Sequence, residues 1–132
     1  MDGSIHHIEI YVSDLKKSVL FWDWLLIKKF SYTIFQKWKS GISFKLGDTY
    51  IVFVQTEKKY TDNSYHRKKA GLNHLAFHCS SREFVDNLTK ELKEKNINIL
   101  YTDRHPFAGG DDYYAVFFED PDRIKIEVVA DD

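Results

Sequence analysis

The sequence GLNHLAFHC, residues 71–79, decides the fold because it repeats a pattern with which the chain opens. It is a mostly apolar run that carries His74, and a serine-containing cap and a helix-like pattern follow it. Residues 5–14, IHHIEIYVSD, have the same order, and a shift of 67 residues places His7 on His74. A strand that carries a histidine, a helix cap and a helix thus occur twice in the same order, which predicts an internal duplication of the chain.

Hydrophobic periodicity predicts the order strand, helix, strand, strand, strand in each half. In the first half, strands are expected at residues 4–12, 30–38, 42–46 and 50–55, and the helix from Ser13 or Asp14 to about residue 28. In the second half, strands are expected at residues 72–79, 97–101, 113–118 and 124–129, and the helix at 81–96. The modules, residues 1–57 and 71–132, would be joined by the polar loop 58–70 within one domain, residues 1–132.

The composition sets limits on the function. The length of 132 residues fits one domain, and a hydrophobic share of 43% can build a substantial core. A net charge of −1 argues against nucleic-acid partners, which need a basic surface. No apolar run approaches the roughly 20 residues of a membrane span, and the N-terminus lacks a signal-peptide pattern. With a single cysteine, Cys79, an internal disulfide is excluded. We therefore expect a soluble cytoplasmic protein.

A carboxylate in the last predicted strand stands out among apolar neighbours. Glu127 lies in the run IKIEVV, residues 124–129, where an unpaired charge would cost several kcal/mol of desolvation. Together with His7 and His74 it makes two histidines and one carboxylate, each on a strand. This is the composition of a metal site with open coordination positions. Spacing alone leaves open the alternative that the histidines are ordinary core or surface groups.

Three segments resemble the vicinal oxygen chelate superfamily, which includes glyoxalase I, fosfomycin-resistance enzymes, extradiol dioxygenases and bleomycin-binding proteins. They are residues 5–15 (IHHIEIYVSDL), 71–77 (GLNHLAF) and 118–127 (FEDPDRIKIE). The resemblance implies an α+β glyoxalase-like fold, in which two βαβββ modules curl their sheets into a cup. It also implies that His7, rather than His6, binds a metal ion together with His74 and Glu127.

The same resemblance implies metal-dependent chemistry on a small-molecule substrate. One divalent ion (Mn, Fe, Zn, Ni or Co) would be chelated by neighbouring oxygens of a small oxygenated molecule and would stabilise developing charge. Reactions of the lyase, isomerase or ring-opening class need such chelation. The resemblance also implies a homodimer, in which one site takes His7 from one subunit and His74 and Glu127 from the other. Open sheet edges on each module give this pairing a physical motive.

Three positions depart from the patterns of known subgroups. The fourth ligand of glyoxalase I, a glutamate, would fall at Val52 or Phe53, so a standard glyoxalase I activity is not expected. Fosfomycin thiol transferases and extradiol dioxygenases place a tyrosine ten residues before the final glutamate, where this chain has Phe117. Arg123 stands where the turn before the last strand often has glycine.

Further residues are candidates for roles around the metal. On the first strand, Glu9 is a candidate general base and Tyr11 a candidate oxyanion donor, and on the strand of residues 72–79 His78 is a candidate acid or base. Loops at the mouth of a cup commonly hold substrate. The candidate substrate-binding residues in the two long loops are Arg67, Arg104 and His105. For each of these loop residues, a solvated surface charge is the alternative.

Two other functions stay open. The first is a metal-free binding protein that sequesters a drug-like molecule in an aromatic-lined cup, as bleomycin-binding relatives do. The high aromatic content, 16%, fits it, but those relatives lack metal ligands. The second is an antibiotic-modifying enzyme of the fosfomycin type, for which the phenylalanine at position 117 argues against a transferase.

Overall fold

Each half of the chain forms a compact unit in the computed structural model, which describes residues 1–62 and 65–131. The units are residues 1–64 and 65–132. Their boundary falls inside the segment 58–70 that the sequence predicts as a polar linker. Each unit combines a small sheet with one α-helix, so the class is α+β.

The first unit contains a four-stranded sheet. Its elements in chain order are β1 (His7–Val12), α1 (Leu15–Asp23), a π-helical turn (Trp24–Lys29), β2 (Thr33–Trp38), β3 (Gly41–Leu46), β4 (Thr49–Gln55) and a 3₁₀ turn (Lys58–Tyr60). The strand order is β1-β4-β3-β2, with β1 parallel to β4 and the other pairs antiparallel. The expected strand 30–38 begins only at Thr33, because Phe30 N–H still bonds to the carbonyl of Leu25 at 3.1 Å and extends the helix.

In the first sheet, β1 presents apolar side chains on the helix side and polar side chains on the other side. The Asp14 carboxylate caps α1 by accepting from the N–H of Lys17 at 3.3 Å. On the helix side, the fully buried Trp22 of α1 stacks on Phe53 at a centroid distance of 4.7 Å. Because side chains alternate along a strand, burying Ile10 and Val12 of β1 on this side turns His7, Glu9 and Tyr11 to the opposite face.

The second unit contains a three-stranded sheet. Its elements are β5 (His74–Cys79), α2 (Arg82–Glu94), β6 (Ala115–Glu119) and β7 (Lys125–Ala130). The strand order is β5-β7-β6, with β5 parallel to β7. The hydroxyl of Ser81 caps α2 by accepting from the N–H of Phe84 at 3.1 Å. The buried side chains of α2 pack on one face of this sheet, which leaves the other face available for polar groups.

The strand predicted at residues 97–101 is wrong. Over this segment the structure has one isolated bridge, between Ile99 and Phe118, instead of a strand. Asn96 and Tyr101, which flank the segment, have φ angles of 57° and 56° in the left-handed region. These two reversals leave too few extended residues for a strand, so the second unit has one strand fewer than the first.

The turn before β7 forms without the expected glycine. Arg123 has a φ of 66°, a conformation that costs a side-chain-bearing residue about 1–2 kcal/mol. The Asp120 carboxylate holds the turn by accepting from the N–H groups of Asp122 and Ile124, each at 2.8 Å. This side-chain bridge fixes the path into β7 in place of glycine's conformational freedom.

Among the described residues, no helix has the length and apolar character required to cross a bilayer.

Candidate metal centre

The face of the second sheet that turns away from α2 carries a pair of candidate metal ligands. In the parallel pairing of β5 and β7, His74 lies opposite Lys125 and Ala76 lies opposite Glu127. Alternation places His74, His78, Lys125 and Glu127 on the face away from α2, while Ile126 and Val128 are buried beneath it. The period-two pattern of the sequence therefore places a histidine and a carboxylate on neighbouring strands of one surface.

His74 and Glu127 converge on one point. Nε2 of His74 lies 3.4 Å from Oε1 of Glu127. The glutamate side chain is only 4% exposed, whereas the histidine side chain is 36% exposed. A buried carboxylate needs a compensating partner, and the half-exposed histidine leaves an approach to it from solvent.

Asn73 fixes the proton of the histidine ring. Its Nδ2 donates to the carbonyl oxygen of Arg67 at 3.0 Å, so its Oδ1 is the end that faces His74, at 2.7 Å from Nδ1. An amide oxygen only accepts, and Nδ1 of His74 must therefore carry the hydrogen. In the neutral ring this leaves the lone pair on Nε2, the atom that faces Glu127.

Tyr113 holds the other oxygen of the glutamate. Its hydroxyl donates a hydrogen bond to Oε2 of Glu127. This hydrogen bond, then burial and the negative charge of Glu127, raise the pKa of Tyr113 to about 12. Oε1, the oxygen nearer His74, is thereby left for a further partner.

The donor set fits a divalent cation. A neutral imidazole Nε2 and a carboxylate oxygen are both acceptors, so at 3.4 Å they need a proton or a cation between them. Each candidate ligand is tied at its far atom, His74 by Asn73 and Glu127 by Tyr113. Metal-binding histidines and carboxylates are usually oriented by such outer partners.

His7, the third predicted ligand, lies in the first unit on the polar face of β1. Its ring stacks on Tyr50 with centroids 4.8 Å apart and planes at 4°. Its Nδ1 lies 2.9 Å from Nδ1 of His6, so one of the two rings donates to the other. Because Nδ1 of His7 is engaged with His6, a metal ion would bind to Nε2 of His7. Among the residues that the structure describes, no group of three or more His, Cys, Asp or Glu side chains is placed to hold a metal ion, and the set of His7, His74 and Glu127 stays a prediction.

The register of the first sheet separates the two positions considered for a fourth ligand. Val52 pairs with Glu9 and therefore lies on the face of His7, whereas Phe53 pairs with Ile10 on the core side. The position that could contribute a ligand is therefore Val52, which has no donor atom. On the face of His7, this position therefore carries an apolar side chain in place of the glutamate that glyoxalase I would have there.

The three candidate catalytic residues lie on the same faces as the histidines. Glu9 and Tyr11 are exposed on the face of His7. His78 pairs with Asp131, with Nδ1 2.5 Å from Oδ1. It lies four residues beyond His74, which at about 3.3 Å per residue separates their backbones by roughly 13 Å. His78 would reach only the far end of a substrate bound at His74, and its catalytic role stays a prediction.

The three candidate substrate-binding residues have different surroundings. Arg67 forms an ion pair with the buried Glu119 at 2.6 Å and also bonds to the carbonyl of Arg123. Its charge is therefore largely neutralised within the protein. Arg104 lies over the Tyr101 ring at 5.6 Å. Burial lowers the pKa of His105, and the charge of Lys93 of α2 lowers it further, against an opposing effect of Asp86. Substrate binding by these residues stays a prediction.

Three residues at the site were not predicted from the sequence: Asn73, Tyr113 and Lys125. Lys125 could have been found from period two, since it lies two residues before Glu127; its Nζ donates to the Tyr101 hydroxyl at 3.1 Å. Asn73 directly precedes His74, but an amide beside a histidine gives no specific signal. Tyr113 comes from a loop, where no periodicity indicates the direction of a side chain.

Comparison with known proteins identifies the family. The family model described as Glyoxalase/Bleomycin resistance protein/Dioxygenase superfamily matches residues 4–128. YqjT of Bacillus subtilis (strain 168), an uncharacterized protein, is 56% identical over 126 residues, which cover 96% of this chain and 98% of YqjT. Glutathione transferase FosA of Serratia marcescens is 28% identical over 126 residues, which cover 95% of this chain and 79% of FosA.

Solved structures agree with the expected fold. A candidate glyoxalase from Bacillus halodurans has a TM-score of 0.95 and 56% identity, with 98% of this chain and 96% of that chain covered. A mutant of FosX, a fosfomycin resistance protein of Listeria monocytogenes, is complexed with Mn(II) and 1S,2S-dihydroxypropylphosphonic acid. It has a TM-score of 0.70 and 21% identity, over 98% of this chain and 91% of that chain, and this likeness concerns the fold alone.

The predicted α+β glyoxalase-like fold is thus confirmed, with the one strand fewer noted above. Since the family model spans nearly the whole chain and a relative shares more than half of its residues, the chain belongs to the Glyoxalase/Bleomycin resistance protein/Dioxygenase superfamily.

Proposed function

We propose that the chain is a metal-dependent enzyme that acts on a small oxygenated molecule. A divalent ion is held by His7, His74 and Glu127, and the substrate occupies the remaining coordination positions. The reaction belongs to the lyase, isomerase or ring-opening class. The single cysteine is compatible with the reducing conditions of the cytoplasm, where we place the protein.

One observation carries this proposal: the two acceptor atoms, Nε2 of His74 and Oε1 of Glu127, face one another at 3.4 Å while their far atoms are tied. If His74 and Glu127 served only to pack the sheet, they would not need Asn73 and Tyr113 to direct the lone pairs of Nε2 and Oε1 toward one point. A bleomycin-type binding protein without a metal would not require this arrangement.

The metal, when bound, supplies Lewis-acid stabilisation of negative charge on substrate oxygens. The ligand set of two histidines and one carboxylate accepts Mn, Fe, Co, Ni or Zn, and the FosX complex makes Mn(II) the first ion to test. The ammonium group of Lys125, opposite His74 in the neighbouring strand, is placed to attract an anionic substrate.

Glu9 is our choice for the general base. It is exposed and lies two residues after His7, so the two side chains share one face of β1. A Glu9→Gln variant is expected to bind metal as the wild type does and to lose turnover once a substrate is known. An active Glu9→Gln variant would remove this residue from the mechanism.

We further propose that the protein is a homodimer whose sites take ligands from both subunits. Two of the three ligands lie in the second unit and the third lies in the first. In addition, β2 is exposed along its whole length and carries the apolar side chains Ile34, Phe35 and Trp38. Exposed apolar groups on an edge strand favour association. A single species of one chain's mass in sedimentation at micromolar concentration would contradict the dimer.

A second candidate function is modification of an antibiotic of the fosfomycin type, which the likeness to FosA over 95% of this chain favours. In the structure, Phe117 pairs directly with Glu127 across β6 and β7. The residue at the position of the family's tyrosine thus lies beside the proposed ligand Glu127, but as a phenylalanine it has no hydroxyl. A hydrolytic ring opening is therefore favoured over thiol transfer. Fosfomycin consumption by the Mn²⁺-loaded protein, with and without added thiol, tests this candidate.

The metal content of the purified protein tests the main proposal. We expect about one ion per chain in the wild type after incubation with Mn²⁺ and removal of the excess. His74→Ala should lose the ion, whereas His78→Ala, a change of the same residue type on the same strand face, should retain it. Less than about 0.1 ion per wild-type chain with Mn, Fe, Co, Ni and Zn in turn would overturn the proposal.

A further inference from the structure

The hydroxyl of Tyr113 is the donor that occupies Oε2 of Glu127. The residue comes from the loop between α2 and β6, two positions before β6 begins. The residue is exposed, at 39%, so it is not held in place by burial. A loop residue that reaches back to a buried carboxylate on the central strand of its sheet needs a specific local arrangement.

The loop supplies that arrangement through two glycines. A Cβ atom on Gly109 would lie 2.3 Å from Cδ1 of the Tyr113 ring, so the ring packs directly on the glycine backbone. Gly110 has a φ of 141°, which favours glycine. The N–H of Tyr113 donates to the Gly110 carbonyl at 3.1 Å and closes the turn. The glycine pair thus creates the space in which the phenol ring points toward Glu127.

The hydrogen bond from Tyr113 fixes the orientation of the Glu127 carboxylate. The carboxylate of a glutamate can rotate about the Cγ–Cδ bond and present either oxygen, and a donor fixed on Oε2 removes that freedom. Oε1 is then the oxygen that faces His74. Outer partners of this kind commonly change metal affinity by 10–100-fold when they are removed.

We infer that Tyr113 is a positioning residue for the metal centre, since its hydroxyl selects Oε1 of Glu127 as the oxygen that binds the divalent ion. This inference rests on the metal-dependent function proposed above. It adds a residue outside the ligand set, from a loop, that determines the affinity of the site.

The neighbouring residue provides a matched control. Tyr114 also donates its hydroxyl to a carboxylate, Oδ1 of Asp86 in α2, at 2.5 Å. Tyr113→Phe and Tyr114→Phe therefore remove the same atom from adjacent residues, each from a carboxylate partner. Only the first partner is a proposed metal ligand.

The test measures the binding of Mn²⁺ and Co²⁺ to the metal-free protein by calorimetry. We expect Tyr113→Phe to weaken binding by about 10–100-fold and Tyr114→Phe to change it by less than about threefold. The visible absorption of the Co²⁺-loaded protein, which reports the ligands around the ion, should change only in Tyr113→Phe. A role in folding alone would lower the melting temperature without altering this spectrum.

Two outcomes overturn the inference in distinguishable ways. Wild-type affinity and an unchanged Co²⁺ spectrum in Tyr113→Phe would refute the role of Tyr113 and leave the proposed function intact. Failure of the wild type itself to bind either ion would refute the proposed function and the inference with it.

Discussion

Nε2 of His74 and Oε1 of Glu127 face one another at 3.4 Å across two parallel neighbouring strands, with a hydrogen-bond partner at the far atom of each side chain. The register of β5 and β7 offsets the two residues by two positions, since Glu127 lies opposite Ala76. The small alanine side chain leaves room beside the carboxylate for the histidine to lean toward it. The geometry of this pair leads to predictions that can each be checked separately.

Glu127→Gln should abolish metal binding without unfolding the protein. The amide is isosteric, so Tyr113 can still donate to its oxygen, while its NH₂ group can donate to Nε2 of His74 and occupy the place of the ion. We expect the affinity for Mn²⁺ to fall at least 100-fold and the melting temperature of the metal-free protein to stay the same or rise, because a buried charge is removed. Calorimetric titration and thermal unfolding measure the two quantities, and retention of wild-type affinity would exclude Glu127 as a ligand.

Co-expression of two inactive variants tests whether the site is shared between subunits. His7→Ala and Glu127→Ala should each lose the metal. Random pairing of the two chains makes half of the dimers mixed, and each mixed dimer regains one intact site, so roughly a quarter of the wild-type metal content should return.

The control for this experiment is the pair His74→Ala and Glu127→Ala, whose affected ligands lie in the same unit. No mixed dimer of these two can contain an intact site, and the metal content should stay near zero. If the first pair also fails to recover metal although mixed dimers form, the site is not shared between subunits.

Glu119 should be important for the stability of the second unit. It is buried and accepts from Arg67 at 2.6 Å and from Asn98 at 2.7 Å. Removing one partner of a buried ion pair costs about 3–5 kcal/mol, so we expect Glu119→Ala to lower the free energy of unfolding by about 3 kcal/mol. The control is Glu57→Ala, whose ion pair with Lys59 is 4.0 Å long and exposed. It should change stability by less than about 0.5 kcal/mol, and equal effects of the two variants would contradict the prediction.

The contribution of Glu119 should also depend on pH. Burial alone would raise its pKa, but the hydrogen bonds from Asn98 and Arg67 and the charges of Arg67 and Arg123 outweigh it and hold the pKa below its ordinary value of 4.5. A carboxyl whose pKa is lower in the folded state stabilises the fold above the unfolded pKa. The stability difference between wild type and Glu119→Ala should therefore be full at neutral pH and should shrink as the pH falls below 4.5, as urea unfolding at several pH values would show. A difference that grew in acid would refute the lowered pKa.

Gly109→Ala should impair metal binding although it changes no ligand. The added Cβ would approach the Tyr113 ring to 2.3 Å and must displace it from Glu127. We expect an affinity for Mn²⁺ at least as low as that of Tyr113→Phe, and no further loss when the two changes are combined, because both act through one hydrogen bond. Gly47→Ala serves as a control for backbone strain, since no atom lies within 4 Å of its added Cβ while its φ of 59° strains any side chain there. Independent, additive losses would show that Gly109 acts in another way.

Apart from the segment 97–101, the elements of the second unit could be predicted from the sequence because they follow from local periodicity, and so could the position of His74 and Glu127 on one face of the sheet. Alternation in β7 marks Glu127 as a carboxylate that shares a strand with buried apolar residues, and the Asp14 and Ser81 caps mark where the helices begin. The strand prediction for residues 97–101 was wrong because their apolar, β-branched composition indicates a strand, whereas the left-handed backbone at Asn96 and Tyr101 depends on the surrounding loop.

The outer partners of the site could not be predicted, for a different physical reason. Which way Tyr113 points depends on the packing of its ring on Gly109, a contact in three dimensions that leaves no period in the sequence. The same holds for Arg67, whose predicted substrate role did not anticipate an ion pair with Glu119, 52 residues away.

The amide of Asn73 has one donating end and one accepting end, and this asymmetry links a loop to the proposed metal site. While the Arg67 carbonyl accepts from Nδ2, Oδ1 keeps the hydrogen of His74 on Nδ1. If the loop moved away, the amide could flip and present its NH₂ group instead, and the ring hydrogen would shift to Nε2, where it would point at Glu127 and exclude a cation. A molecule that displaced the backbone at Arg67 would therefore lower the metal affinity without touching any ligand, by changing the tautomer of one histidine.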